Sequence, residues 1–212
     1  MPIVPSRPIS AAVDTLTDRL ADGGVVVLPT DTVYGIAARA ADADGVAELY
    51  RRKGRDPDVP TAVLVADPQQ AERLWSGPSP ARDRLTSRFW PGPLTLVDRR
   101  AAGLAWDLGG DPSSLGARCP DHALVRALAA RVGPLAVSSA NRSGDPPVVR
   151  ADAVAAALGE DLLVADGGRL EGRPSTVVDL RDGFHVLRIG AATEAELRAA
   201  WRPPTMSGTE GK

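Results

Sequence analysis

Val25-Val26-Val27-Leu28-Pro29-Thr30-Asp31-Thr32-Val33-Tyr34-Gly35 sets the fold class of this 212-residue chain. Val25–Leu28 is a short, continuous apolar run rich in β-branched residues, the pattern of a strand buried on both faces. Pro29 ends it. The polar loop Thr30–Gly35 then sits at the strand's C-terminal end, where open α/β sheets meet their ligands.

On the N-terminal side, residues 1–9 are Pro-rich and expected to be extended. Ser10 is placed to cap a helix carrying Ala11, Ala12, Val13, Leu16 and Leu20, which stops at Gly23-Gly24. On the C-terminal side a helix is expected from about Asp44 to Arg52, with Lys53-Gly54-Arg55 just beyond its end. Further strands are expected at Ala62–Val65, Leu94–Val97, Leu115–Cys119, Pro134–Val137, 162–165, 175–180 and 184–189. Helical segments fall at 68–89 (broken near Gly77-Pro78), from Pro120-Asp121 through Val132, at 151–158 and at 193–201. Residues 98–114 are expected to be loop. With no repeat and no linker between two cores, residues 1–202 form one α/β domain, and the polar tail 203–212 is expected to be disordered.

Composition narrows the function classes. Hydrophobic residues at 43% and charged residues at 25% are ordinary for a soluble globular chain. The formal charge of -2 argues against duplex binding driven by net charge. A lone Cys119 leaves no internal disulfide, and with only His122 and His185 beside it a zinc site has too few ligands. No apolar run approaches membrane-spanning length and no signal segment opens the chain, so a cytoplasmic location is expected.

Four polar clusters follow strands or close helices: Thr30–Gly35, Lys53–Arg55, Ser138–Asn141 and Ser175-Thr176. Arg118 and Arg188 lie in or at the ends of short strands. Of 25 basic residues only Lys53 and Lys212 are lysines. An ammonium is a compact point charge and a guanidinium a planar fork, so the two substitute poorly where one phosphate oxygen is held. The set contains no nucleophile–base pair, no P-loop, no Gly-x-Gly-x-x-Gly and no Gly-x-Ser-x-Gly. It suits a site that binds phosphate or carboxylate groups and catalyses phosphoryl or nucleotidyl transfer by positioning and charge neutralisation. Each residue alone also has a structural reading. Thr30 and Thr32 form turns, Tyr34 packs, Ser-Ala-Asn bonds its own backbone, His122 opens a helix and Cys119 is a core thiol.

The ordered series is more specific than any member. It runs Leu28-Pro29-Thr30-Asp31-Thr32-Val33-Tyr34-Gly35, Lys53-Gly54-Arg55, Trp90-Pro91-Gly92-Pro93-Leu94-Thr95, Arg118 before Pro120-Asp121-His122, Ser139-Ala140-Asn141 with Ser143-Gly144, Ser175–Asp179, and Leu187-Arg188 before Gly190. It resembles the threonylcarbamoyl-AMP synthase family (the YrdC-like domain), over about residues 10–190 and in its short form without a C-terminal extension. The resemblance implies a twisted, open mixed sheet flanked by helices, with a central positively charged groove. It implies an enzyme, a nucleotidyltransferase, that condenses L-threonine, bicarbonate or CO2, and ATP with Mg2+, releasing pyrophosphate. The product serves the threonylcarbamoyl modification of tRNA, which adds contact with RNA, double-stranded RNA included, and downstream threonylcarbamoyl transferase proteins as partners. By position, Thr32, Arg118 and Ser175 are implied to bind threonine. Lys53, Arg55, Ser114, Ser139, Asn141 and Arg188 are implied to bind ATP, with Lys53, Arg55, Ser139 and Asn141 catalytic and Lys53 facing solvent in the groove. No metal ligand is implied from the protein; Mg2+ comes with ATP. Asp56, Val59, Leu64, Pro147 and Ile189 depart from residues frequent in the family. Two other readings remain on this fold: a non-catalytic RNA-binding or ribosome-maturation factor, and a carbamoyl-transfer domain.

Overall fold

The computed structural model describes residues 1–21 and 23–202. The tail expected at 203–212 lies outside the described residues. The strands are β1 (Ile3–Pro5), β2 (Val26–Leu28), β3 (Gly35–Arg39), β4 (Ala62–Leu64), β5 (Leu94–Arg99), β6 (Ser114–Arg118), β7 (Leu135–Ser139), β8 (Leu163–Asp166), β9 (Thr176–Asp179) and β10 (His185–Arg188). They join one mixed sheet in the order β1-β8-β2-β3-β7-β4-β6-β5-β9-β10. The helices are α1 (Ile9–Leu20), α2 (Ala43–Lys53), α3 (Pro68–Glu72), α4 (Pro80–Phe89), α5 (Ala123–Val132), α6 (Val154–Leu158) and α7 (Glu194–Trp201).

The opening run behaves as its composition dictates. Val25, Val26, Val27 and Leu28 are all buried, and successive residues serve opposite faces. Val26 and Leu28 pack with Leu16 and Leu20 of α1 and Leu124 and Leu128 of α5. Val25 and Val27 share the other core with Val46 and Leu49 of α2, Leu85 of α4 and Leu197 of α7. A strand walled in on both sides has no solvent face, hence no polar alternation.

Three local expectations are corrected. Ser10 lies inside α1, whose N-cap is Pro8 without a side-chain hydrogen bond. Lys53 is the last residue of α2, and Gly54 caps the helix in the left-handed region (φ 58°), its N–H donating to the carbonyl of Arg51. Residues 35–39, outside every expected strand, form β3, antiparallel to both β2 and β7. A Cβ on Gly35 would stand 2.6 Å from Val137 Cγ1, so glycine is what lets β3 close against β7 there.

This topology leaves one stretch of sheet uncovered. Across β7, β4, β6, β5 and β9 the side chains of Val137, Ala62, Thr95, Val97 and Val177, with Gly116, form the floor of a cleft of about 390 Å³. The loop after β2, the residues after α2 and the ends of β6, β7 and β10 form its walls.

Candidate active site

The cleft gathers Thr32, Arg55, Ser114, Arg118, Ser139, Asn141, Ser175 and Arg188 from segments far apart in sequence. Lys53 is not among its lining residues. Its side chain is 2% exposed, and the ammonium donates to the carbonyls of Ser139 and of Asn141 (2.6 Å for the latter). The backbone N–H of Ser143 in turn donates to the Lys53 carbonyl at 3.0 Å. The expectation that Lys53 faces solvent in the groove is therefore corrected: the lysine stands behind the 139–143 turn and fixes it. The helix end explains why. Placed in the last turn of α2, the side chain runs beneath β7, and a buried ammonium needs carbonyl acceptors. Burial, and secondarily the charge of Arg55, lowers its pKa from 10.5 to about 8.

Thr30 is the turn former of the first loop. Its hydroxyl donates to Val33 O (2.7 Å) and accepts from the N–H groups of Thr32 (3.1 Å) and Val33 (3.2 Å). Thr32 Oγ1 lies 2.9 Å from Thr30 Oγ1 and accepts from Arg118 Nη1 at 3.1 Å. Thr30's proton is committed to Val33 O and its two lone pairs to N–H groups, while Thr32 Oγ1 spends one lone pair on Arg118 and keeps the other for a ligand donor.

Arg118 is buried and fully oriented: Nε donates to Gly92 O at 2.9 Å and Nη2 to Asp31 Oδ1. Asp31 is a site residue that sequence reasoning missed. It lies in the quoted loop, but only the fold shows that it faces an arginine 87 positions away. Three of the five guanidinium N–H groups are thereby engaged, and two remain for a carboxylate.

On the opposite wall, Arg188 donates to Ser175 O through Nε (3.1 Å) and Nη2 (2.9 Å), and Nη2 reaches Ser175 Oγ at 3.1 Å. Thr95 Oγ1 completes that cluster, 2.9 Å from Ser175 Oγ. Arg55 donates to Val59 O (3.1 Å) and Pro60 O (2.7 Å). Ser114 donates its hydroxyl to Asp111 O at 3.0 Å, and Arg100, a further cleft residue missed in the sequence, donates to Ser114 O and Trp106 O.

The charge balance of the cleft is uneven. Among the described residues, no carboxylate pairs with Lys53, Arg55, Arg100 or Arg188. Burial and then the nearby charge of Arg55 lower the pKa of Arg188. Of these, Arg55, Arg100 and Arg188 line the cleft without counter-ions and retain free N–H groups, a grouping that can receive a polyanion. Among the described residues, Asp145 is the one acidic residue lining the cleft.

Cys119 and His122 stay outside the chemistry. Cys119 is 1% exposed, and burial pushes its thiol up to about 11, which makes it inert. His122 is the N-cap of α5. Tyr34 is wholly buried, its hydroxyl donating to Gly168 O at 2.8 Å. No helix among the described residues is long and apolar enough to cross a membrane.

Comparison with known proteins identifies the family. The Sua5/YciO/YrdC family model, described as telomere recombination, matches residues 18–190. A protein of Mycobacterium tuberculosis is 45% identical over 189 residues, covering 87% of this chain and 85% of its own. The threonylcarbamoyl-AMP synthase of Bacillus subtilis is 39% identical over 198 residues, covering 87% of this chain and 55% of its own. The crystal structure of Pyrococcus abyssi Sua5 complexed with L-threonine superposes with a TM-score of 0.86 at 31% identity, over 94% of this chain and 60% of that one.

Proposed function

The chain belongs to the Sua5/YciO/YrdC family, and from that premise we propose that it is a threonylcarbamoyl-AMP synthase acting by nucleotidyl transfer. It joins L-threonine, bicarbonate or CO2, and Mg2+-ATP into threonylcarbamoyl-adenylate and pyrophosphate, for threonylcarbamoyl modification of tRNA. The observation that carries the reading is a cleft with two kinds of arginine. Arg118 is pre-oriented by Asp31, Thr32 and Gly92. Arg55 and Arg188 have no acidic partner among the described residues and repel each other.

The parts divide accordingly. The two free N–H groups of Arg118 take the amino acid carboxylate as a fork, while the Thr32 lone pair accepts from its hydroxyl or amine. Arg55 and Arg188 take phosphate oxygens, and the Ser139 hydroxyl in the turn held by Lys53 completes that end. The amine, as free base, adds to CO2 and gives up a proton to form a carbamate. A carbamate oxygen then attacks the α-phosphorus of ATP; the P–O bond to the β-phosphate breaks and its electrons leave with pyrophosphate. The protein holds two anions in contact and neutralises the charge that grows on the leaving group, so no protein nucleophile is required.

The test is pyrophosphate release from ATP, with threonine and bicarbonate supplied or withheld one at a time. Release that requires both is expected. Absence of threonine-dependent release from folded wild-type protein overturns the reading, and tight RNA binding without turnover would replace it with the non-catalytic RNA factor.

A further inference from the structure

Asn141 is expected to grip phosphate, yet its side chain has no donor left to do so. The residue is 6% exposed and lines the cleft. Both N–H groups of its amide are spent at 2.8 Å, one on Arg142 O and one on Asp145 O. Its Oδ1 is buried and has no hydrogen-bond partner among the described residues. Turning the amide over would set that oxygen against two carbonyl oxygens and leave both N–H groups unpaired, so the two carbonyls dictate the orientation. A buried amide oxygen facing phosphate would be repelled by it; it calls for a donor or a cation. The same turn carries Asp145, exposed and paired with no arginine or lysine among the described residues. Asn141 Nδ2, through its bond to the Asp145 backbone carbonyl, ties the turn together, and the carboxylate and amide oxygen carried on that turn are hard oxygen donors without a purpose in anion binding, in a cleft otherwise rich in arginine.

We propose that Asn141 Oδ1 and the Asp145 carboxylate hold the divalent cation that accompanies the phosphates of the nucleotide. This rests on the synthase reading and deepens it, because it gives the cation protein ligands as well as phosphate ones. Mg2+ is commonly held by one or two protein oxygens together with substrate phosphates and water. Two protein oxygens are too few for a site that fills alone, in keeping with the absence of any metal-holding cluster of three or more acidic, His or Cys residues among the described residues. The cation therefore enters with the nucleotide. Lys53, by clamping the Asn141 carbonyl from behind, sets where Oδ1 points.

Mn2+ serves as the spin-active probe, titrated into protein with ATP and no threonine, and followed by electron paramagnetic resonance. Wild type is expected to immobilise Mn2+ only when ATP is present. Asp145→Asn, at an exposed side chain and so safe for the fold, is expected to weaken Mn2+ in that complex at least about tenfold, since even outer partners of a metal cost about 10–100-fold. Its affinity for ATP in EDTA stays at the wild-type value. Asn141→Ala moves Mn2+ affinity in the same direction, with thermal melting to confirm folding. Unchanged Mn2+ affinity in Asp145→Asn overturns the proposal. Loss of threonine affinity in Asn141→Ala with Mn2+ affinity retained overturns it also and assigns Oδ1 to the amino acid. Failure of wild type to bind ATP with or without Mn2+ overturns the synthase reading itself, a separate outcome.

Discussion

Lys53 shows what a residue's rarity can and cannot reveal. The sequence singles it out, but its burial under the 139–143 turn follows only from the direction of α2. Lys53→Ala is expected to lower pyrophosphate release strongly and also to destabilise the fold by roughly 1–3 kcal/mol, because two buried carbonyls lose their donor. Urea unfolding beside the activity assay checks both; loss of turnover at wild-type stability would return Lys53 to direct phosphate contact. A pH dependence follows from the depressed pKa of about 8. Below it the lysine is charged in both states and the cost of burying that charge is present in full. Between about 8 and 10.5 the unfolded chain binds more protons than the folded one, so wild-type stability from this group rises with pH. The stability difference between wild type and Lys53→Met is expected to shift in favour of wild type across that window, read from unfolding curves on either side of it. Arg118 and Asp31 show the complementary case. Both residue types were visible in the sequence, but charge pairing at a separation of 87 positions was not.

At the scale of elements, most of the sheet was legible. Strands such as Val26–Leu28 and Leu94–Arg99 carry dense apolar runs, and helices such as Ala123–Val132 keep their spacing. β3 was not legible for a physical reason. Gly35-Ile36-Ala37-Ala38-Arg39 has a single β-branched residue, and its strand conformation comes from the neighbours that pair with it on both sides. Gly35→Ala is expected to cost roughly 1–3 kcal/mol, since the new methyl meets Val137 Cγ1. Val137→Ala in the same chain is expected to recover much of that loss. Denaturant unfolding of the two single variants and the double variant measures the coupling; strict additivity would show that the β3–β7 approach is not what requires glycine.

At the scale of the whole molecule, the sequence marked the polar clusters but not how they meet. The open floor across β7, β4, β6, β5 and β9 depends on strand order, and that order is far from chain order. Only a folded sheet sets Arg55 beside Ser138, Lys53 beneath Asn141 and Thr95 against Ser175, separations of 83, 88 and 80 positions. Unpaired arginines on opposite walls make the empty cleft electrostatically costly and the filled one favourable. ATP at about one hundred times its dissociation constant is expected to stabilise the protein by about 2.7 kcal/mol, the value for a ligand confined to the native state. Differential scanning fluorimetry against ATP concentration checks this; a flat melting temperature would mean that the cleft does not take the nucleotide.

The placement of Arg188 on β10, an edge strand of the sheet and the last of the ten described strands in chain order, has a bearing on how the protein is made. During translation, nine of the ten described strands leave the ribosome before the guanidinium that reaches Ser175 does. A nascent chain halted short of β10 already carries Arg118, Lys53 and the 139–143 turn, yet its cleft lacks one wall. On the proposed assignment of Arg188 to phosphate, chains that end before β10 are expected to lack nucleotide affinity, which ATP binding to a chain truncated before His185 checks.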